Sequence, residues 1–572
     1  MLDTHTLPRR GGAPALSALQ ILLLAALAAG CAGTQQPAPE STDGQDRTYH
    51  ILMAEIALQR GENATGIEEY LKAARAGESV ETASQATRTA FDFGYDRLAY
   101  QAAQRWVELA PGDGEARRYA GRLALRHQQV GEAAEHLEAA AAADGADEAA
   151  FRELAAILME DGHPEDAFAV SERLADAYDD NAYAQASAAS TALRNDEAET
   201  AIAYARRATE IAPDEPRAAL LLARALEADE QTEAALETAA PLADAADRDV
   251  RLDYALFLAG ADRPDEARTV VNRILQSDPE QPDAWRATAL ISLQQGDYDA
   301  AWSDFSELLQ SGEFTHDALF YLGTIAEERE DWFQAMRLYS QVGEGRLQLV
   351  ARQRVSVILT RLGQAEGALS QLERFARRNP RQALDVRFTE AQLLEAMERY
   401  EEALEAYDEI LAAKPPSLGL LLSRAEVQLS RGETEAAIEG YREALALRPE
   451  SATALNALGY TLADRTDRLR EARKLIERAL DKEPDNAAII DSMGWVLFRQ
   501  GEPEEALPYL ERAWEMIRDP EVAAHLGETL WTLGRKEEAR QILQEAYDEF
   551  PGSAPLRDTL RRLMEAAAST AS

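Results

Sequence analysis

One cysteine, seven histidines and 102 carboxylates are the side chains of this 572-residue chain best suited to act as nucleophiles, metal ligands or proton carriers. The lone thiol, Cys31, can form neither an internal disulfide nor a cysteine-based zinc site. It is therefore either incidental or suited to a role that needs one sulfur. The histidines stand apart, at positions 5, 50, 127, 136, 163, 316 and 525. His127 and His136 are nine residues apart and do not share a helix face at metal-ligand spacing. No HExxH, GxSxG, GxxxxGK[ST] or GxGxxG occurs. Neither a metal nor a cofactor is expected, and an enzyme would need a site that no linear motif marks.

Cys31 lies in the stretch ILLLAALAAGCAG, residues 21 to 33. Arg9 and Arg10 precede an apolar run from Ala13 to Ala29, whose strongest part begins at Ile21 and is nine residues long. That is too short to span a bilayer and suits the core of a signal peptide. Ala28-Ala29-Gly30-Cys31 resembles the lipobox of bacterial lipoproteins, in which small residues precede the cysteine that receives diacylglycerol. The usual residue three places before the cysteine is leucine; here Ala28 stands there, with Leu27 one place further back. The competing reading is an ordinary secretory signal cleaved nearby. The resemblance implies a signal peptide over residues 1–30 and lipidation at Cys31. Ala32 is not aspartate, which by the enteric sorting pattern implies the periplasmic face of the outer membrane. The following GTQQPAPESTDGQDR has no apolar periodicity. Residues 31–46 are therefore expected to be the lipidated cysteine and a disordered tether.

A helical pattern of about 34 residues then recurs to the C-terminal end. Counting the small residue of its first helix as position 8, the row runs from Ala54 to Gly527 through fifteen positions spaced 32 to 35 residues apart. A second small row, position 20, runs from Gly66 to Ala539, and fourteen of its fifteen members are alanine. Two phase-locked small rows mark where the helices of a pair cross closely. Position 24 often carries a large residue (Tyr70, Phe305, Tyr339, Tyr407, Tyr441, Leu510), expected to pack between neighbouring repeats. Prolines recur at the repeat ends and should stop the second helix. The pattern resembles the tetratricopeptide repeat (TPR), a helix–turn–helix unit. The resulting expectation is an all-α solenoid of about fifteen repeats over residues 47–553, forming a right-handed superhelix of about two turns. A capping helix and tail should occupy residues 554–572. Pro241 and the glycines of SQVGEGRLQ mark repeats 6 and 9 as candidate bends.

The formal net charge of −43 excludes nucleic acid as a partner, since phosphate binding needs a basic footprint. Protein partners remain. In such arrays the first helices line a concave groove, and positions 2, 5, 9 and 12 share the helix face expected to line it. In repeat 5 these are Tyr183, Ala186, Ser190 and Leu193, a bland set. The last three repeats instead supply Asn456 and Tyr460, then Asp491, Trp495 and Phe498, then Glu528 and Trp531, with His525 beside them. Rings with Asn and carboxylates make a candidate peptide-binding patch. Trp495 and Trp531 either face the groove or fold over the next helix.

The block from Ala454 to Trp531, containing ALNALGYTLADRT and AAHLGETLW, resembles the large TPR lipoproteins of the gammaproteobacterial outer membrane. At least one member of that family is an adaptor for a periplasmic carboxyl-terminal processing protease that degrades peptidoglycan hydrolases. The resemblance implies a non-catalytic, lipid-anchored adaptor with a protease and cell-wall hydrolases as candidate partners. The alternative is a structural subunit of an envelope assembly or export machine.

Overall fold

The computed structural model describes residues 42–570 other than 280 and 344. Cys31, the signal-peptide stretch and most of the expected tether lie outside the described residues. The described chain contains 31 α-helices and no strand, ordered as fifteen antiparallel pairs followed by a terminal helix, Ala554–Thr570. The first helix, Thr42–Gln59, begins within the stretch read as tether, so residues 42–46 belong to repeat 1.

The repeat length follows from local signals at three points. Most first helices begin behind a Ser, Asp or Asn whose side chain accepts a backbone N–H, as at Ser79, Asp113, Asn181, Ser451, Asn486 and Asp519. Each such cap contributes about 1 kcal/mol. The turn to the second helix passes through a left-handed residue at position 15 in fourteen of the fifteen repeats, and six of these are not glycine, including Gln128, Glu230 and Glu398. The exception is repeat 13, whose turn carries an extra residue around Thr466. More than half of the second helices then stop two residues before a proline, as Leu109 precedes Pro111 and Glu549 precedes Pro551.

Packing within a pair depends on the two small rows. All fourteen position-20 alanines are fully buried. Where position 8 is glycine, the large residue at position 24 of the same repeat occupies the missing methyl's place. A Cβ on Gly121 would meet Leu137 Cδ2 at 2.6 Å, and one on Gly323 would meet the Tyr339 ring at 2.8 Å. Position 24 thus closes its own helix pair, which refines the expectation that it packs between neighbours. The two irregular repeats are visible. In repeat 6 the second helix is only Thr232–Ala239, followed by a 3-10 turn at Ala240–Asp244 that holds Pro241. In repeat 9 it is Trp332–Gln341, ten residues.

Summed over eight or nine repeats, the small rotation between neighbours brings the chain back onto itself. The Arg97 guanidinium donates to the Leu411 carbonyl at 3.4 Å, Arg381 pairs with Asp92 at 3.3 Å, and Arg448 pairs with Asp166 at 2.6 Å. Repeats 2 to 4 therefore lie against repeats 11 and 12. Asp166 is buried, so Arg448→Ala would leave its carboxylate unpaired, at a cost of about 1–3 kcal/mol. The expected result is an opened seam, read as a larger radius of gyration by small-angle scattering with unchanged helical content.

Candidate protein-binding site

The first helices of repeats 13, 14 and 15 are Ala452–Arg465, Ala487–Arg499 and Pro520–Thr532. Together with the terminal helix they enclose a cleft of about 760 Å³. Its floor is a ladder of rings. Phe498 stacks on Trp495 with centroids 5.3 Å apart and planes at 17°. Trp495 stacks on the His525 imidazole at 4.0 Å and 16°. Tyr460 closes the ladder, 6.1 Å from His525.

The ladder is pinned by charge. His525 Nδ1 lies 3.1 and 3.0 Å from the two Asp491 oxygens, and the two residues are only 5% and 6% exposed. Burial alone would lower the His525 pKa, but the Asp491 carboxylate, with Glu521 and Glu528 on its own helix, raises it above the ordinary imidazole value. The imidazolium is thus held by its partner. The Tyr460 hydroxyl donates to Glu521 at 2.5 Å. Burial, together with that carboxylate, pushes its ionisation far upward. Glu528 accepts from Thr559 at 3.2 Å and pairs with Arg562, both on the terminal helix.

The cleft's two lining threonines, Thr532 and Thr559, donate their hydroxyls to the Glu528 carbonyl and carboxylate respectively. Among the described residues no cluster of three or more His, Cys, Asp or Glu is disposed to hold a metal. Trp495 is 7% exposed, and its indole N–H has no acceptor. A buried donor at the cleft floor lacks about 1–3 kcal/mol that a ligand oxygen could restore.

Tetratricopeptide repeat family profiles match residues 419–551, 252–314 with 358–417, and 317–344. The matched stretches are tetratricopeptide repeats, and the described chain has the fold of an all-α TPR solenoid. A TPR repeat-containing protein of Pseudomonas aeruginosa is 40% identical over 211 residues, which cover 37% of this chain and 36% of that protein. A DnaJ homolog subfamily C member 7 homolog of Schizosaccharomyces pombe is 28% identical over 220 residues, covering 35% of this chain and 46% of that one. The chain thus aligns with less than half the length of either relative. Among solved structures, a tetratricopeptide repeat protein from Parabacteroides merdae is similar at 17% identity, covering 44% of this chain and 98% of its own, with a TM-score of 0.36. A thermophilic TPR protein of Thermus thermophilus is 23% identical, covering 32% of this chain and 98% of its own, with a TM-score of 0.29. A TPR array is a protein-interaction scaffold.

Along the TPR register the structure redraws the expected face. Five of the eight candidate residues, Tyr460, Trp495, Phe498, His525 and Glu528, line one cleft. Asp491 lies beneath them as the partner of His525. Asn456 lies outside the cleft, and its side-chain oxygen is buried without a donor. Trp531 turns away toward the second helix of its own repeat, where Lys536 and Arg540 cover the ring at 5.1 and 5.3 Å. The reason is angular. At about 100° per residue, positions 2 and 13 fall 20° and 40° from position 9, whereas position 12 falls 60° away on the other side, at the edge of the face, where Phe498 still reaches the cleft and Trp531 does not. Position 13 supplies Asp464, Arg499 and Thr532 to the cleft. The 3.6 period could have found them. Asp558, Thr559, Arg562 and Leu563 on the terminal helix also line the cleft, and no repeat register points to them.

Proposed function

We propose that this TPR protein is a non-catalytic adaptor, tethered by a lipid at Cys31 to the periplasmic face of the outer membrane. It would present substrates such as peptidoglycan hydrolases to a carboxyl-terminal processing protease. The observation that carries the binding role is the C-terminal cleft, where an ordered ring ladder includes a buried indole donor without an acceptor. Aromatic floors of this kind supply contact area at low entropic cost. The partner identities rest on the resemblance of Ala454 to Trp531 to the outer-membrane lipoproteins. A tethered solenoid also raises the local concentration of what it holds, so two weak contacts act as one stronger one. Basic wall-binding proteins would meet a −43 chain favourably.

Crosslinking with mass spectrometry in the native envelope tests the reading. An adaptor recovers a protease and hydrolases crosslinked to repeats 13–15. Recovery of barrel or secretion components instead would make the chain a structural subunit. For the anchor, Cys31→Ser is expected to release the protein from the membrane fraction or to leave it held by an uncleaved signal. A Cys31→Ser protein that fractionates and matures like the wild type would sink the lipoprotein assignment.

A further inference from the structure

The seam follows one register. A turn inside a repeat meets the connecting segment about eight repeats further on. Asp92 of repeat 2 pairs with Arg381, after repeat 10, at 3.3 Å. The Gln128 side chain of repeat 3 donates to the Pro416 carbonyl, after repeat 11, at 3.4 Å. Asp166 of repeat 4 pairs with Arg448, after repeat 12, at 2.6 Å. One edge of the solenoid thus rests on the opposite edge of its next turn. Two properties set this contact apart from the packing between neighbouring repeats. It is polar: the Asp92 and Arg381 side chains are 42% and 69% exposed, and among the described residues no apolar core cluster includes both sides. It is also loosely packed. A cavity of about 600 Å³ lies between Gln128 and His163 on one side and Phe388 and Gly419 on the other, and one of about 580 Å³ separates Asn63 and Tyr95 from Arg377 and Ala383. An intrachain interface that is neither large nor apolar permits relative motion. The arc between the two sides holds both irregular repeats. Their second helices have eight residues in repeat 6 and ten in repeat 9, against fourteen in repeats 5, 7, 8 and 10. Each therefore offers less surface to the next repeat, and the array is softest there.

We infer that the seam is a salt-sensitive latch. The superhelix opens along it by rotation at repeats 6 and 9, while the repeats on either side stay folded. Shut, it brings successive turns into contact and closes the gap between them. Open, that gap is a side entrance to the concave face. The sign of the salt effect follows from distance. The net charge of −43 pushes the two turns apart, but this repulsion acts at long range and is already screened at about 0.15 M salt, where the Debye length is about 8 Å. The latch pairs are in contact, so they weaken only when the screening length nears the pair distance, about 3 Å at 1 M. The exposed Asp92–Arg381 pair yields first. Asp166–Arg448, with side chains 11% and 17% exposed, is screened less. The latch goes beyond the adaptor reading and does not depend on it.

A chain with one native cysteine suits a test by site-directed labelling. In the full chain carrying Cys31→Ser, nitroxides are attached at Asp179→Cys in repeat 4 and Glu443→Cys in repeat 12, both exposed and outside the latch pairs. Their separation is read by double electron–electron resonance. One short distance is expected at about 0.15 M NaCl, joined at about 1 M by a longer population. Arg381→Asp, which sets a carboxylate against Asp92, should show the longer population already at about 0.15 M. Asp92→Arg combined with Arg381→Asp should restore the short one. Labels at Ser370→Cys and Glu443→Cys, both on the far side of repeat 9 and exposed, should keep one distance throughout. A repeat 4 to repeat 12 distance that stays single under all these conditions, or that shortens as salt rises, would overturn the inference. A Ser370 to Glu443 distance that changes as well would overturn it too, because the repeats would then be melting rather than turning at hinges.

Discussion

Gly494→Val is expected to unfold the C-terminal repeats ahead of the rest of the chain. A Cβ at position 494 would lie 2.5 Å from Leu510 Cγ and 3.3 Å from the Ala506 carbonyl oxygen. Leu510 and Ala506 are both fully buried, so neither has room to yield. Overpacking a tight core costs about 1–3 kcal/mol and occasionally more, and the two methyls of valine place this change at the upper end. Gly494→Ala should cost less, because alanine recovers about 1 kcal/mol of helix propensity. Leu510→Ala alone should cost about 2–5 kcal/mol through the cavity it leaves. Combined with Gly494→Ala it should be less damaging than the two separate losses summed, since the new methyl fills part of that cavity; repeats 5 and 6 already use alanine at both positions, as at Ala189 with Ala205 and Ala223 with Ala239. Solenoid stability is close to a sum over neighbouring repeats. The loss should therefore appear as an early thermal phase, mapped by hydrogen exchange to repeats 13–15. A Gly494→Val protein that melts like the wild type would show that the helices do not approach as closely as described.

Asp491→Asn should have an effect at least as large and should change how stability depends on pH. Removing one partner of a buried ion pair costs about 3–5 kcal/mol, and here it strands an imidazole stacked under Trp495. The groups facing His525 are Asp491 from repeat 14, Tyr460 from repeat 13, and Glu521 and Glu528 on its own helix, the last neutralised by Arg562. In the wild type the folded pKa of His525 is raised above its unfolded value near 6.5. Its stabilising contribution is then complete below about pH 6.5 and declines as pH rises through the raised value. In Asp491→Asn, burial dominates and lowers the pKa, so the unfolded state binds more protons and stability should rise toward pH 6.5 instead. Chemical denaturation followed at the C-terminal repeats between about pH 5.5 and 8.5 reads the sign directly. A wild-type slope that survives the substitution would mean that another group carries it.

The C-terminal cleft and the seam show where a sequence reading stops. Position 9 of the last three repeats was legible as groove-facing because the face of a helix follows from its period alone. Trp531 misled because position 12 lies at the edge of that face, where a small rotation decides between groove and partner helix. His525 with Asp491 was legible as a pair of polar types, but not as a buried ion pair, since burial depends on what the neighbouring repeat places above it. The seam had no sequence signal, because its partners stand about eight repeats apart.

The helix pairs, their fifteen-fold register, the crossing rows and the places where that register is irregular were all determined by the sequence. Each depends on contacts made within about 34 residues, between side chains whose sizes and spacing can be read directly. Two features were decided only in the folded chain. These are the seam that joins Asp166 to Arg448 across 282 residues and the terminal helix that walls the C-terminal cleft. The wall depends on how neighbouring helices stack, and the seam on the sum of many small rotations between repeats. No single repeat encodes that sum, and a few degrees in each accumulate into contact or separation at the far end.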